Sequence, residues 1–138
     1  MSEIKPRMNE IMVPISPGEL LDKITILRIK SQRMTDPRKL ANVRVELEAL
    51  EETWRSSAYA SVDVGTEVSA LLAVNGRLWT IEDDIRDKER AKTFDEEFVR
   101  LARAVYIEND ERAAIKRRLN VKLGSNLVEE KSYSQYRT

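Results

Sequence analysis

The chain has 138 residues, enough for one domain with one apolar core. Its 24 basic and 24 acidic side chains cancel, so the overall charge gives no reason to expect nucleic acid or an anionic membrane as a partner. Because Cys and His are both missing, disulfides, Cys or Cys/His zinc sites, thiol nucleophiles and Ser-His-Asp triads are excluded. Charged side chains run through the first 30 residues and no apolar run reaches about 18 residues, so we expect a cytoplasmic protein without membrane spans.

The tetrad Ser-Pro-Gly-Glu that begins at Ser16 predicts the start of the first helix. Ser16 suits the N-cap, Pro17 the first helical position and Glu19 the third, a combination known as a capping box. Gly18 stands alone and is not part of a glycine-rich phosphate loop. We therefore predict a helix over about 17–34 rather than a turn that grips a ligand.

A second helix is predicted over about 37–56, with Asp36 as its N-cap and Pro37 as its first residue. In both segments apolar residues recur at spacings of three and four, which is typical of a helix with one apolar face. If the chain folds back between the helices, these residues face each other, namely Leu20, Ile24 and Leu27 against Leu50, Leu47 and Val43. The pattern predicts an antiparallel helical hairpin.

The second half of the chain predicts another hairpin. Its first helix, over about 64–90, follows a loop of small polar residues, and Asp63 is the expected cap. Thr93 and Glu96 form a second capping box in the sequence, which predicts a fourth helix over about 94–123.

Gly124 follows the last apolar residue of the fourth helix, a position at which a glycine commonly ends a helix. The flanking segments, about 1–15 and 125–138, show no clear period and are expected to be short arms. We therefore expect a single domain, residues 1–138, with an all-α fold: an antiparallel four-helix bundle made of two helical hairpins.

Polar residues interrupt the apolar faces of the third and fourth helices. Folding the chain back near residue 92 brings Glu82 level with Arg103, and we expect their side chains to pair. One explanation is a buried polar network that sets the register of the helices. The other is a pocket between them, with Gly76 leaving room for a ligand. The candidate ligand-binding residues are Asn75, Glu82, Arg103, Asn109 and Arg112, and no catalytic residue, metal site or cofactor is expected.

Two segments have opposite charge. Residues 28–44 hold six basic side chains and one acidic side chain, a net charge of +5, whereas residues 82–97 hold eight acidic and four basic side chains, a net charge of −4. In an up-down-up-down bundle both segments lie at the same end, so we expect them to neutralise each other. The alternative is a basic end that binds RNA or a phosphorylated partner.

Two acidic pairs, Glu48-x-x-Glu51 and Asp84-x-x-Asp87, follow the pattern by which helical nucleoside-triphosphate hydrolases hold Mg²⁺. Folding the second and third helices together leaves the pairs roughly 16 Å apart, at about 1.5 Å per residue. One metal cluster cannot use both pairs at that separation unless a second subunit supplies half of it. A solvated surface is therefore the favoured interpretation.

The second hairpin is longer than the first and is expected to overhang it. If the tips near residues 35 and 92 are level, the overhang is roughly 10 to 15 Å long and apolar. Apolar surface of that size is seldom left in water, and the arms look insufficient to cover it. We therefore predict a homodimer or larger closed oligomer, most simply two-fold symmetric, centred on Val64, Val68, Leu71, Leu72, Ile115, Leu119 and Leu123.

Five segments together resemble one bacterial family of unknown function: VPISPGELLDKITILRIKSQRM, KLANVRVELEAL, RLWTIEDDIRDKE, LARAVYIENDERAAIKRRLN and LGSNLVEEKSY. The resemblance covers most of the chain from Val13 to Tyr133. Members of that family occur as short stand-alone proteins, or fused or adjacent to glycosyltransferase-type enzymes of surface polysaccharide synthesis. The resemblance implies an accessory role near glycan assembly and transfers no catalytic residue.

The expected function is that of a non-catalytic, oligomerising interaction module that binds its own copies and a protein partner. The alternative is a small-molecule or nucleotide-binding enzyme that uses the polar residues between the third and fourth helices. A dry and filled seam would favour the module, whereas a buried cavity lined by Asn75, Glu82 and Arg112 with a molecule bound in it would favour the enzyme.

Overall fold

A computed structural model describes residues 9–137 of the chain. It contains four helices, α1 (Pro17–Arg33), α2 (Pro37–Arg55), α3 (Gly65–Arg90) and α4 (Glu96–Lys122). No strand occurs among the described residues. The predicted all-α four-helix bundle is confirmed, and each helix begins and ends within two residues of its predicted bounds.

The first two helices begin where their capping residues predict. The Ser16 hydroxyl accepts a hydrogen bond from the backbone N–H of Glu19 at 3.1 Å. The Asp36 carboxylate accepts from the backbone N–H groups of Arg38 and Lys39, at 2.9 and 3.3 Å. Both caps satisfy N–H groups that the first turn of a helix leaves without partners.

The predicted start of α4 is wrong by two residues. Asp95, and not Thr93, is the N-cap, and its carboxylate accepts from the backbone N–H of Phe98 at 3.0 Å. The backbone N–H of Thr93, which a capping box would offer to the Glu96 side chain, instead donates to the carbonyl of Lys88 and closes the last turn of α3. That closure places Lys92 in the left-handed region, at φ 54°.

The start of α3 also differs in detail from the prediction. Val64 is the N-cap and makes no side-chain capping bond. Asp63 lies one residue earlier, and its carboxylate accepts from the backbone N–H of Gly65 at 3.0 Å. The helix therefore begins close to the predicted position with a less complete cap.

Helix α1 is the centre of the fold. It packs against each of the other three helices, α3 packs against α4, and α2 contacts α1 alone among the described helices. The core is formed where α1 meets the α3–α4 hairpin. Its buried side chains are Leu20, Leu21 and Ile24 of α1, Leu71 and Val74 of α3, and Ile115 and Leu119 of α4, with Val64 and Leu123 at the helix ends.

The apolar overhang that motivated the oligomer prediction is not present. The first turns of α1 cover it, so five of its seven residues are buried within the chain, and Val68 and Leu72 are partly buried. Close approach is allowed by Gly18, because a Cβ atom there would lie 2.7 Å from the carbonyl oxygen of Lys116. The backbone N–H of Gly18 donates to Asn120 Oδ1 at 2.8 Å.

The α3–α4 hairpin protrudes at its opposite end instead. Arg33, the last residue of α1, donates to Thr80 Oγ1 at 3.1 Å, and α3 continues for ten further residues to Arg90. Ten helical residues span about 15 Å. The tips of the two hairpins are therefore not level. Oligomer formation stays a prediction, but an exposed apolar overhang no longer supports it.

The chain after α4 returns along the outside of that helix. Gly124, with φ 65°, ends α4 as predicted, and the N–H of Ser125 donates to the carbonyl of Asn120 at 2.9 Å. Further along the arm, the ring of Tyr136 packs against that of Tyr106 with their centroids 4.8 Å apart. No helix among the described residues has both the length and the apolarity to cross a membrane.

Candidate functional site

Three helices share a buried polar cluster, here called the polar seam, consisting of Asp22, Thr25, Asn75 and Arg112. Asp22 has no exposed surface, and its carboxylate accepts from Arg112 Nε at 2.9 Å and from Nη2 of the same guanidinium. Asn75 Nδ2 donates to Asp22 Oδ1 at 2.9 Å and to Thr25 Oγ1 at 3.1 Å. Both carboxylate oxygens of Asp22 are therefore engaged within the chain.

The electrostatics of the polar seam favour the charged form of Arg112. The hydrogen bonds from Arg112 to Asp22 raise the pKa of the guanidinium against the opposing effect of burial. A buried carboxylate is costly unless it is paired and hydrogen-bonded, and Asp22 is both. The seam thus links α1 to α3 and α4 in one register.

Asp22 and Thr25 were not among the predicted site residues, although the sequence around them carries a signal. Residues 20–29 of α1 are apolar on more than one side, because Leu21 and Ile29 fall off the stripe that runs through Leu20. A helix that is apolar nearly all round is a buried helix. Polar side chains within such a helix must then find partners on its neighbours.

A groove between α3 and α4 opens beside the polar seam. It has a volume of about 450 Å³, within the size range of small-molecule sites. Four of the five candidate residues lie on it, and Arg103 does not. Its lining consists of Ile26, Asn75, Leu78, Trp79, Glu82, Asp83, Arg86, Asn109 and Arg112.

The expected pair between Glu82 and Arg103 is not formed. Glu82 instead pairs with Arg86, one turn along its own helix, at 3.2 Å. The register that suggested the pair is nevertheless close, because Arg77 and Glu108, each five residues further from the tip, do pair at 2.9 Å. Equal height on two helices does not make side chains face each other, since each residue turns the helix by about 100°.

Gly76 does not enlarge the groove. The nearest atom to a Cβ built at Gly76 is Arg33 Nη2 at 3.7 Å, so the free space lies toward α1. The expectation that this glycine makes room for a ligand between α3 and α4 is therefore wrong.

A second charged cluster ties the C-terminal arm to the bundle. Lys116, almost fully buried, places its Nζ atom 2.7 Å from Glu19 and 2.8 Å from Glu129 of the arm. Burial alone would lower the pKa of Lys116, but the hydrogen bonds to Glu129 and Glu19 outweigh it and raise that pKa. The same bond from Lys116 lowers the pKa of the Glu129 carboxyl.

The two oppositely charged segments do not neutralise each other. No ion pair among the described residues joins residues 28–44 to residues 82–97, because the hairpin tip extends past the end of α1. The acidic segment is paired locally, in Glu82–Arg86, Asp87–Arg90, Lys88–Asp95 and Glu97–Arg100. In the basic segment Arg28 pairs with Glu51, and the other basic side chains have no acidic partner within the described chain.

One member of each acidic pair considered as a Mg²⁺ ligand forms ion pairs with arginines instead. Glu51 contacts Arg28 and Arg55, and Asp87 contacts Arg90. Between residues 9 and 137 there is no group of three or more acidic side chains arranged to hold a metal ion.

The N-terminal arm, residues 10–15, carries four exposed apolar side chains, among them Ile11, the most exposed large apolar side chain of the described chain. Ile11 is 90% exposed and Val13 is 65% exposed, and Met12 and Ile15 are also exposed. The arm has no helical structure and leads directly into the Ser16 cap.

Comparisons of the chain with protein-family models, with curated proteins and with solved structures gave no match.

Proposed function

We propose that this chain is a non-catalytic interaction module that binds a protein partner through its N-terminal arm. The observation that carries the proposal is the run of exposed apolar side chains from Ile11 to Ile15. Contiguous exposed apolar surface is uncommon on a folded chain and commonly marks a contact with another molecule.

The arm has the pattern of a strand that is added to the edge of another protein's sheet. Ile11, Val13 and Ile15 alternate, so they share one side of an extended segment. Pro14 restricts Val13 to an extended backbone. Pro14 has no backbone N–H, which an edge strand tolerates where that position faces away from the sheet. Because the described chain has no strand of its own, the sheet belongs to a different protein.

Two features favour binding over catalysis. Asp22, the most buried acid, has both carboxylate oxygens occupied by Arg112 and Asn75, which leaves no base for a substrate. Lys116, the most buried base, is held charged between two carboxylates. Neither group meets the usual needs of general acid or base catalysis at neutral pH.

The resemblance described under Sequence analysis suggests which partner to test first. A module that accompanies glycosyltransferase-type enzymes would bind such an enzyme and act as an accessory to bacterial surface-glycan assembly. This part of the proposal rests on the resemblance alone.

A photo-crosslinking amino acid at position 12, in place of Met12, tests the proposed contact in the native host. We expect crosslinks to one partner, with the crosslinked peptide in an edge strand of that protein. The double variant Ile11→Ser with Val13→Ser should reduce capture about 30-fold or more, since the two apolar side chains each contribute about 1 to 2 kcal/mol on burial, or about 2 to 4 kcal/mol together.

Val45→Ser on the outer side of α2 is the matched control, because Val45 is 58% exposed and lies outside the arm. It should leave capture unchanged. Crosslinks that stay within the chain, or capture that survives the arm variant, would show that the arm is not the binding element.

The α3–α4 groove supports a second candidate, a small-molecule site. Four predicted residues converge there beside the indole of Trp79. The variant Trp54→Phe leaves Trp79 as the single tryptophan, whose fluorescence can be followed during titration with nucleosides and nucleotides. Saturable quenching that Asn109→Ala weakens would support the site, and a flat titration to millimolar concentration would exclude these ligands.

A further inference from the structure

The end of the molecule opposite the N-terminal arm has the shape of a step. The α3–α4 hairpin projects about 15 Å beyond Thr80, where the last residue of α1 contacts it. The turn between α1 and α2 forms the lower level of the step. Two surfaces are defined there: the basic turn, comprising Lys30, Arg33, Arg38, Lys39 and Arg44, and the acidic tip, comprising Asp83, Asp84, Glu89 and Glu96.

The basic turn has no acidic partner in the described chain. Its only acid, Asp36, uses its carboxylate to cap α2. Arg38 and Lys39 occupy the first turn of α2, where the helix dipole disfavours positive charge, and that turn holds no acid. Local helix stability therefore does not account for these cations.

The acidic tip is the complementary surface. Its four carboxylates are exposed and form no ion pair with any residue between 9 and 137, in contrast to the neighbouring acids that pair with bases on their own helices. The two surfaces meet at the inner corner of the step, where Arg33 reaches Thr80, one turn before Asp83 and Asp84. Each copy of the chain thus presents both signs of charge side by side.

We propose that two copies of this chain associate through this end, with the acidic tip of each copy lying on the basic turn of the other. A two-fold axis turns one complementary contact into two identical ones, which is how self-complementary surfaces form dimers. The projecting hairpin of each copy fills the step of its partner. The exposed side chains of Phe94 and Val99 supply apolar contact within the same surface.

The charges favour a second copy over a polyanion such as nucleic acid. A polyanion on the basic turn would approach Asp83 and Asp84, which repel it. Residues 28–44 contain no aromatic side chain on which a base could stack. A second copy brings negative charge at the tip and positive charge at the turn, so it matches both surfaces.

This inference concerns the opposite end of the molecule from the N-terminal arm and is independent of the proposed function. A dimer formed in this way would leave the two arms facing outward. If the two copies do not associate, sedimentation gives the mass of a monomer. If the proposed function is wrong, the arm gives no crosslinks to a partner.

The experiment uses sedimentation of the full chain and of two double charge reversals, Arg38→Glu with Lys39→Glu, and Asp84→Lys with Glu89→Lys. We expect wild type to dimerise at micromolar concentration, with a dissociation constant that rises about tenfold between about 50 and 500 mM NaCl. Each charge reversal alone should give monomers. An equal mixture of the two variants should restore dimers, because both contacts are again attractive in the heterodimer.

Arg118→Glu serves as the control, since this exposed residue of α4 lies near the other end and should not affect the mass. Circular dichroism checks that every variant is folded. A monomeric wild type at about 200 µM in low salt, or variants that do not recover on mixing, would overturn the proposal. Salt-sensitive binding of duplex RNA by a monomeric wild type, lost in Arg38→Glu with Lys39→Glu, would assign the basic turn to a polyanion instead.

Discussion

Asp22 is the residue on which the contact of α1 with α3 and α4 depends most. It is fully buried and accepts hydrogen bonds from both Arg112 and Asn75. Asp22→Ala should lower the free energy of unfolding by about 3 kcal/mol, because removal of the carboxylate leaves the guanidinium half-buried and unpaired. Urea denaturation measures the loss.

The control for Asp22 is the double variant Asp22→Leu with Arg112→Met, which replaces the ion pair by apolar side chains. It should recover most of the lost stability, since a buried pair is often no better than apolar packing. Equal losses in the single and double variants would contradict the view that the unpaired charge is the main cost.

Two glycines in helices should respond in opposite directions to replacement by alanine. At Gly18 the new Cβ would lie 2.7 Å from the carbonyl oxygen of Lys116 and 2.8 Å from Asn120 Oδ1, so α1 must move away from α4. We expect Gly18→Ala to destabilise the fold by about 1 to 3 kcal/mol. At Gly76 the nearest atom is 3.7 Å away, and Gly76→Ala should stabilise by up to about 1 kcal/mol. Thermal unfolding of both variants and of wild type measures the two changes in stability. A stabilised Gly18→Ala would disprove the close contact.

Among the elements, the C-terminal arm is held mainly by side-chain contacts and should detach in acid. The pKa of Glu129 lies below its ordinary value of 4.5, chiefly because of the hydrogen bond from Lys116. A carboxyl with a lowered pKa stabilises the folded arrangement above its ordinary value, and the contribution is lost as the pH falls through the lowered value. Protection of residues 126–136 against hydrogen exchange, corrected for the intrinsic exchange rate at each pH, should therefore fall as the pH drops below 4.5 while the helical circular dichroism persists.

The matched variants for the arm are Glu129→Gln and Glu130→Gln. Glu129→Gln should loosen the arm already at neutral pH and reduce its pH dependence. Glu130 is more exposed and lies 3.6 Å from Arg117, so Glu130→Gln should have little effect. An arm that exchanges identically in both variants would show that the bond to Lys116 does not hold it.

Helix α1 contacts three helices and α2 contacts one, so the molecule as a whole should not be equally stable throughout. Of the residues of α2 only Val43 is buried, against nine in α1. Elements with few buried contacts open at lower free energy than the core. Native-state hydrogen exchange should thus show α2 amides exchanging faster than those of α1, by about tenfold or more. Equal protection in the two helices would mean that they unfold as one unit.

The four helices could be predicted without the structure, because most signals for helix starts and ends are local. Ser16 and Asp36 cap the residues that follow them whatever the rest of the chain does, and Gly124 ends α4 for the same reason. The start of α4 at Asp95 was not predicted, because the backbone N–H of Thr93 bonds to the end of α3 and that bond has no signal in the sequence near Thr93.

Packing between helices distant in the chain sets which helix faces meet and how the two hairpins are offset. Periodicity predicts one apolar stripe on each helix. Helix α1 has neighbours on several sides, so Asp22, which lies off that stripe, is buried and pairs with Arg112. Helix lengths say nothing about the offset, which follows from the close contact of Gly18 with α4. Because of that contact, the part of the α3–α4 hairpin that extends beyond α1 is its tip, and not the start of α3 and the end of α4 as predicted. Steric fit between helices distant in sequence has no local signature.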